Sequence, residues 1–498
     1  MHDAFVPTVE KRMTSLTAKL LINGELVGAS DGAEMDSVNP ADESLLGRAA
    51  HATATDVADA VKAGEAAWPA WHALGVDRRA EVMRTLAARI RDRKEEIART
   101  ETRDTGNLYR AMLGDVERAA SRIEFYAGLG HAMTGHTYPA TPNHMHLSER
   151  EPFGTVGRIV AFNHPFYFLA SRVGAPLIAG NAMVLKSPDQ APLSGGIFGE
   201  ICRDVLPPGV VNIVHGSGAQ TGDALVRDPR VKRLGFIGSV GTAKAIQRSA
   251  AEVAIKHITL ELGGKNMMVV LPDADLDKAA ALAVAGMNFE WQGQSCGSTS
   301  CLMLHESIHD AVLERIVARM KTIHVGDPFE AGSGMGPLIS AAHHGKVMSA
   351  IQKGTQQGAR LRVGGERPSG SAFAKGYWVA PTLFSDVDPG SALATEEIFG
   401  PVLSVVRWST PDDVLKMDAA SSLGLTASVV ATDVSKAMAF ARRLRVGYVW
   451  INCVGPHYTG VPYGGFKNSG VGREEGLEEI LSYTDLKSIT IAVPDLSA

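Results

Sequence analysis

The chain has 498 residues, of which 45% are hydrophobic and 21% charged, with a formal net charge of −5. That length exceeds a single core and points to roughly three domains of about 150 residues each, and the composition is that of a soluble globular protein. The acidic balance and dispersed basic residues exclude a general affinity for nucleic acid, and no apolar run reaches the roughly 20 residues needed to span a bilayer.

The amino-terminal MHDAFVPTVEKRM lacks the apolar core of a signal peptide, and the first dozen residues read as a loose polar stretch. Four cysteines, Cys202, Cys296, Cys301 and Cys453, are too sparse for a disulfide framework. A reducing, cytoplasmic setting is therefore expected, in which each thiol is either core filler or reagent. KLLINGELV predicts a short hairpin. Two long helices follow. In the first, Val57, Ala60, Val61, Gly64, Ala67, Trp68 and Trp71 share one face, with Thr55 or Asp56 as its cap. In the second, Val82, Leu86, Ile90 and Ile97 form the apolar stripe. Residues 134–151, polar and rich in His and Pro, read as an extended arm.

From about residue 156 short β-rich runs alternate with helical segments: GRIVAF, AMVLK, VVNIV and RLGFI. The alternation predicts a parallel sheet covered on both faces. After MMVVL it resumes with CLML, PVLSVV, TASVVAT and YVWINC, which predicts a second α/β domain. The closing LKSITIAV reads as a second arm. Arms of this kind often pair across subunits.

Taken in chain order, the candidate chemical groups begin with Asn163 in AFNHPF. An amide after a buried strand can donate to a developing oxyanion, or make an Asx-turn before Pro165. Lys186, closing AMVLK, can meet a ribose or phosphate, or simply be solvated. HGSGAQTG and GFIGSVG are glycine turns. The second sets Gly238 and Ser239 between a strand and a helix starting near Gly241, an anion site in principle. Neither matches the G-x-G-x-x-G fingerprint, because Gly216, Gly218 and Gly222 are spaced one residue too far. Glu261 in LELGGKN can serve as a general base if its pKa suits, or as a capping or ion-paired carboxylate. GQSC brings Cys296 between Gly293 and Gly297, where backbone can approach a ligand closely and an N–H beside the nucleophile can hold an oxyanion. Taken alone it also fits a buried cysteine in a tight turn.

His305-Glu306-Ser307-Ile308-His309 matches the H-E-x-x-H zinc hydrolase pattern, which needs both histidines on one helical face. Here it follows directly on CLML. The helix with Val312, Ile316 and Met320 as its stripe starts only around Ser307 to Asp310, so His305 points elsewhere and no metal is expected. Cys296 and Cys301 have no common zinc spacing with these histidines.

Seven stretches, AFNHP, NAMVLKSPDQAP, GFIGSVG, LELGGKN, GQSC, EEIFGPV and PYGGFKNSGVGRE, occur in an order and at spacings that resemble the aldehyde dehydrogenase superfamily, from about residue 20 to residue 490. The resemblance implies two doubly wound parallel-sheet α/β domains and a small β oligomerisation arm. Residues 15–133 and 152–262 would form the Rossmann-like NAD(P) domain, 263–482 the catalytic domain, and 134–151 with 483–495 the arm. It implies Cys296 as nucleophile, Glu261 as activator of the deacylating water, and Asn163 with the Cys296 N–H as oxyanion donors. Lys186 and Glu397 would hold the cofactor riboses, with Gly238, Ser239 and Phe399 near the pyrophosphate and nicotinamide. The activity implied is oxidation of an aldehyde to a carboxylic acid through a thiohemiacetal and a thioester on Cys296. Cys296→Ser, with a poorer acyl carrier, should stall. A homodimer or homotetramer is expected, and a small-molecule aldehyde is the expected partner.

The chain departs from the family pattern in several places. Asp189 stands where a Glu is frequent. Its charge favours a 2′-hydroxyl over a 2′-phosphate, hence NAD, with NADP not excluded. Ala243 replaces a frequent glycine in the helix after Ser239. Around the expected substrate tunnel, His164, Phe168, Ser171, Glu290, Trp291, His457 and Tyr458 replace a greasier lining, and Ser171 stands where Trp is common. A roomy pocket with polar handles follows, suited to a functionalised or aromatic aldehyde. Glu290 opens a betaine or amino-aldehyde alternative, or else faces outward. Relatives that pass the acyl group to coenzyme A commonly lack the deacylating glutamate, so Glu261 argues for hydrolysis. Retention of Cys296, Glu261 and Asn163 argues against a purely structural member.

Overall fold

The computed structural model describes residues 16–494. The amino-terminal stretch expected to be loose, and the outermost residues of the expected domain bounds (15 and 495), lie outside them. The hairpin forms as Leu20–Ile22 against Glu25–Val27, joined at Asn23 and Gly24. Its first strand adds antiparallel to Val211–Val214 at the edge of an eight-stranded sheet.

The first helix runs Ala54–Ala73, and its start differs from expectation. Thr53 is the cap, and Asp56, three residues on, completes a capping box instead of capping alone. Thr55 is already inside the helix. Trp71 is fully buried and donates its Nε1–H to Leu177 O at 3.0 Å. The second predicted helix is in fact two, Gly75–Asp92 and Lys94–Thr105, broken at Arg93. Ile90 and Ile97 keep a spacing of two helical turns across the break, so the apolar stripe runs through it unmarked. Tyr109–Leu129 follows and packs on both.

Five parallel strands make the centre of the first sheet: Thr155–Ile159, Ala182–Lys186, Val211–Val214, Arg233–Gly238 and His257–Leu262. The chain goes outward from Thr155–Ile159 through the second and third strands. It then returns to place Arg233–Gly238 on the other side of the first, followed by His257–Leu262. The order therefore reverses between Thr155–Ile159 and Arg233–Gly238, the kind of switch point beyond whose strand ends ligands bind in such sheets.

Only Gly263 to Asn266 separate the last strand of this sheet from Met267–Val270, the first of a seven-stranded sheet. Six of those seven strands are parallel, with Arg360–Val363 antiparallel at one edge. The link makes the carboxyl end of one sheet adjoin the amino end of the other. A late strand, Gly470–Val471, returns to pair with Leu260 and Glu261 of the first sheet and ties the two units together. Thr137–Thr141, His144–Pro152 and Thr484–Ala492 form a separate three-stranded antiparallel sheet. No helix of the described residues is long and apolar enough to cross a membrane.

Candidate active site

Glu261 lies one residue before the end of its strand, at the junction. It is 6% exposed, and neither carboxylate oxygen has a hydrogen-bond partner among the described residues. Burial, and then the neighbouring carboxylate of Glu474, raise its pKa well above the usual carboxylate range, against the pull of Arg172 and Arg158. Just beyond it, a Cβ at Gly263 would stand 1.8 Å from the Glu397 carboxylate, so only glycine lets that acid in. Glu397 accepts from the Gly264 N–H at 3.0 Å, and its burial raises its pKa to about 7.

Cys296 sits in the loop between the short Phe289–Trp291 turn and Cys301–His305, at the amino end of the second sheet. Asn266 fixes this loop. Its Nδ2 donates to Cys296 O at 2.6 Å and Ser298 O at 3.0 Å, while its Oδ1 accepts from the Thr426 N–H at 3.1 Å. Asn288 donates to Ser295 Oγ and Ser298 Oγ. Gly293 has φ +69°, and a Cβ there would come within 2.3 Å of Gly400 O. The Cys296 N–H donates to no acceptor among the described residues, as an oxyanion donor must. The residue is partly accessible, yet burial of the sulfur and the carboxylates of Glu397 and Glu261 push its thiol up to about 12. Cys301 lies in the core at the start of its strand, its thiol raised by burial to about 11.

Asn163 follows the strand Thr155–Ile159 and is 3% exposed. Its carbonyl accepts from Asn107 Nδ2 at 3.0 Å, and its side-chain amide makes no hydrogen bond within the described residues. It does not cap the next helix; His164 occupies that position, with Pro165 in the first turn. At the ends of the neighbouring strands stand Lys186 and Gly238–Ser239. Lys186 is 3% exposed and bonds only to Ser187 O, and burial lowers its pKa against the pull of Asp189, which is exposed. Ser239 caps the twelve-residue helix Val240–Ala251, accepting from the Thr242 N–H. Ala243 is buried in that helix. Phe399 adopts φ +58°, its carbonyl accepting from His343 Nε2 and its ring edge-on to Phe162 at 5.7 Å. HGSGAQTG forms a short π-turn capped by Ser217.

The tunnel candidates fall into two aromatic groups. His164 packs on Trp291 and Phe168 at 5.1 and 5.4 Å and bonds through Nδ1 to the buried Asp115 at 2.7 Å. Phe168 is 7% exposed. Ser171 is fully buried, its hydroxyl without a hydrogen-bond partner among the described residues. His457 packs on Tyr463 at 4.2 Å and bonds through Nδ1 to Glu475 at 3.2 Å. Tyr458 is exposed. Glu290, half-exposed, pairs with Arg110 at 2.9 Å.

Sequence reasoning missed the ionic cluster behind Glu261. Arg158 meets Glu474 at 2.5 Å, Arg172 meets Glu474 at 3.0 Å and Glu475 at 3.4 Å, and Arg122 meets Glu475 at 3.3 Å, all nearly or fully buried. It also missed Asn266 and Tyr463. Glu474, Asn266 and Tyr463 were in plain view inside GVGRE, LELGGKN and PYGG, but nothing in those strings says what they touch. The zinc pattern has separate ends. His305 closes its strand, bonds Ser307 and packs on Trp408, whereas His309 opens the next helix and bonds Asp310 and Arg407.

A family model described as the aldehyde dehydrogenase family matches residues 27–489. The chain is 40% identical over 492 residues to the aldehyde dehydrogenase tropH of Talaromyces stipitatus, covering 97% of this chain and 95% of that one. It superposes with TM-score 0.94 and 34% identity on the NAD+ complex of an aldehyde dehydrogenase from Bacillus cereus, covering 98% and 99% of the two chains. It superposes equally, at 0.94, on a betaine aldehyde dehydrogenase from Staphylococcus aureus in complex with NAD+, at 30% identity and 98% of each chain.

Proposed function

The chain belongs to the aldehyde dehydrogenase family, and from that premise we propose that it oxidises an aldehyde to a carboxylic acid through covalent catalysis at Cys296, with Glu261 as base and Asn163 as oxyanion donor. The observation that carries this reading is that the strand of Glu261 and the loop of Cys296 both reach the junction of the two sheets, bringing there a buried carboxylate and a backbone N–H that have no hydrogen-bond partners among the described residues.

The cofactor is NAD(P)+, and the residues present fit it. The crevice beyond two parallel strands is where dinucleotides bind in such sheets. Ser239 and the start of its helix offer N–H groups to a pyrophosphate. The buried Lys186 amine and the Glu397 carboxyl, wedged against Gly263, suit ribose hydroxyls. Asp189 disfavours a 2′-phosphate by charge, so NAD is preferred over NADP. When bound, the nicotinamide supplies the hydride acceptor.

The Cys296 thiolate attacks the aldehyde carbon, and the carbonyl oxygen becomes an oxyanion that takes hydrogen bonds from the Asn163 amide and the Cys296 N–H. Loss of hydride turns the adduct into a thioester on the sulfur. Glu261, once deprotonated, takes a proton from water, the resulting hydroxide adds to the thioester carbon, and the carboxylic acid leaves as Cys296 regains its thiolate. Glu261 needs its high pKa for that proton.

The substrate is a functionalised or aromatic aldehyde. With Nδ1–H given to Asp115 or Glu475, each of His164 and His457 keeps Nε2 for a ligand. That nitrogen accepts from a hydroxyl when the ring is neutral and donates to an anion when it is protonated. The Arg110–Glu290 pair weighs against the betaine or amino-aldehyde alternative. The arm exposes Tyr138, Met145, Leu486 and Ile491, apolar surface that a second copy of the chain would cover in a homodimer or homotetramer. NAD(P)H production should vanish in Cys296→Ala and be greatest with hydroxylated or anionic aromatic aldehydes. Full turnover by that variant would overturn the nucleophile, and a short aliphatic aldehyde with the highest kcat/KM would overturn the substrate class.

A further inference from the structure

We propose that Asn107 is a positioning residue of the oxyanion site, the centre of a three-residue splint, residues 106–108, that holds Asn163 and the loop of Cys296 in one frame. The splint links the helices Lys94–Thr105 and Tyr109–Leu129. Asn107 is 1% exposed, and its Nδ2 donates to Asn163 O at 3.0 Å. Glu101, on the helix before it, accepts from the Phe166 N–H at 3.0 Å. The turn that begins at Asn163 is thus pinned on both sides, and the backbone that aims the Asn163 amide has little freedom to pivot.

The neighbours of Asn107 reach the other way. Gly106 O accepts from Gln292 Nε2 at 3.0 Å, and the Leu108 N–H donates to Glu290 O at 3.3 Å. Gln292 Oε1 accepts in turn from Gln294 Nε2 at 2.7 Å, two residues before Cys296. Gln292 and Gln294 are both buried, so water does not compete for these bonds. Directly after the splint, the Tyr109 N–H donates to Pro328 O at 3.0 Å and Arg110 donates to Ser333 O at 2.8 Å.

The two halves of the site belong to different sheets. Asn163 follows a strand of the first, and Cys296 precedes a strand of the second. Consecutive residues bonded to both sides set the separation of donor and nucleophile, which catalysis needs held to about 0.5 Å. The chemistry of Asn107 also argues for more than packing. Its Oδ1 is buried with no hydrogen-bond partner among the described residues, and the other neighbour of its Nδ2 is Met112 Sδ at 3.6 Å, a weak acceptor. An unsatisfied buried amide oxygen destabilises the fold. An apolar side chain would fill the space without that loss, but it could not donate to Asn163 O.

This inference rests on Asn163 as oxyanion donor, and a double-mutant cycle separates the two. Asn107→Leu keeps the branched shape and removes the donor. The rate of the first-turnover NADH burst, and its dependence on aldehyde concentration, are measured for Asn107→Leu, Asn163→Ala and the pair. Asn107→Leu alone should slow the burst about tenfold. Its half-saturating aldehyde concentration and circular dichroism spectrum should be unchanged, because alignment is lost in the transition state and not in binding. In the Asn163→Ala background the same change should cost less than about twofold. If Asn107→Leu perturbs folding, Asn107→Ser enters the same cycle, its hydroxyl ending one bond short of the amide nitrogen. Equal losses in both backgrounds, or none in either, would overturn the positioning role while leaving Asn163 as donor. An Asn163→Ala variant as fast as the native enzyme would overturn the oxyanion reading, and the purpose of the splint with it.

Discussion

Asn266 and Asn288 tie the loop of Cys296 down with four amide hydrogen bonds. Nearby, by contrast, Glu261 and Tyr463 bury polar atoms without hydrogen-bond partners among the described residues. Native proteins satisfy nearly all buried polar groups, so the contrast divides the labour. The loop spends its hydrogen bonds on geometry, because an error of an ångström in the nucleophile costs about a hundredfold in rate. The wall withholds its own for substrate and water, and the ion pairs of Arg158, Arg172, Glu474 and Glu475 behind it keep it in shape.

Loosening the loop should have the largest effect. Asn266→Ala removes two donors and one acceptor and should lower kcat about a hundredfold, with the circular dichroism spectrum unchanged. Near-normal kcat would mean the loop holds itself. Changing the charge behind the wall should move a pH dependence. Glu474 raises the Glu261 pKa, and Arg158 and Arg172 lower it. Glu474→Gln removes the repelling charge while Arg158 and Arg172 remain, so the Glu261 pKa falls. Because the proposed base works only when deprotonated, the acidic limb of kcat should move to lower pH. A limb that stays or moves up would contradict the coupling. At the substrate end, His164→Phe should cut the preference for hydroxylated over unsubstituted benzaldehydes about tenfold, in kcat/KM. An unchanged ratio would remove His164 from recognition. The smallest effect belongs to the histidines outside the site: a zinc chelator should leave NAD(P)H production unchanged, and its loss would revive His305 and His309 as ligands.

What the sequence made legible was local. Strand runs such as AMVLK and TASVVAT carry their own β signal, and the short motifs around Asn163, Glu261 and Cys296 draw attention as ordered strings. The groups that tune that chemistry meet across the chain. Arg122 and Glu475 are 353 residues apart, as are Tyr126 and Glu479, and no periodicity encodes such pairings. Arg93 breaks a helix without Gly or Pro, so the stripe from Val82 to Ile97 read as continuous. Glu290 carries a charge whose direction depends on Arg110, 180 residues away. Asn266 was unreadable for the opposite reason: an amide two residues after a Gly-Gly pair fits a turn equally well, and only folding reveals that it clasps the loop of Cys296.

The most direct test is a single turnover of Glu261→Gln with excess NAD+, quenched and digested for mass spectrometry. Acylation without deacylation predicts one equivalent of NADH per active site and the acyl mass of the substrate on the peptide containing Cys296. NADH without an adduct, or an adduct on any other residue, would contradict the account.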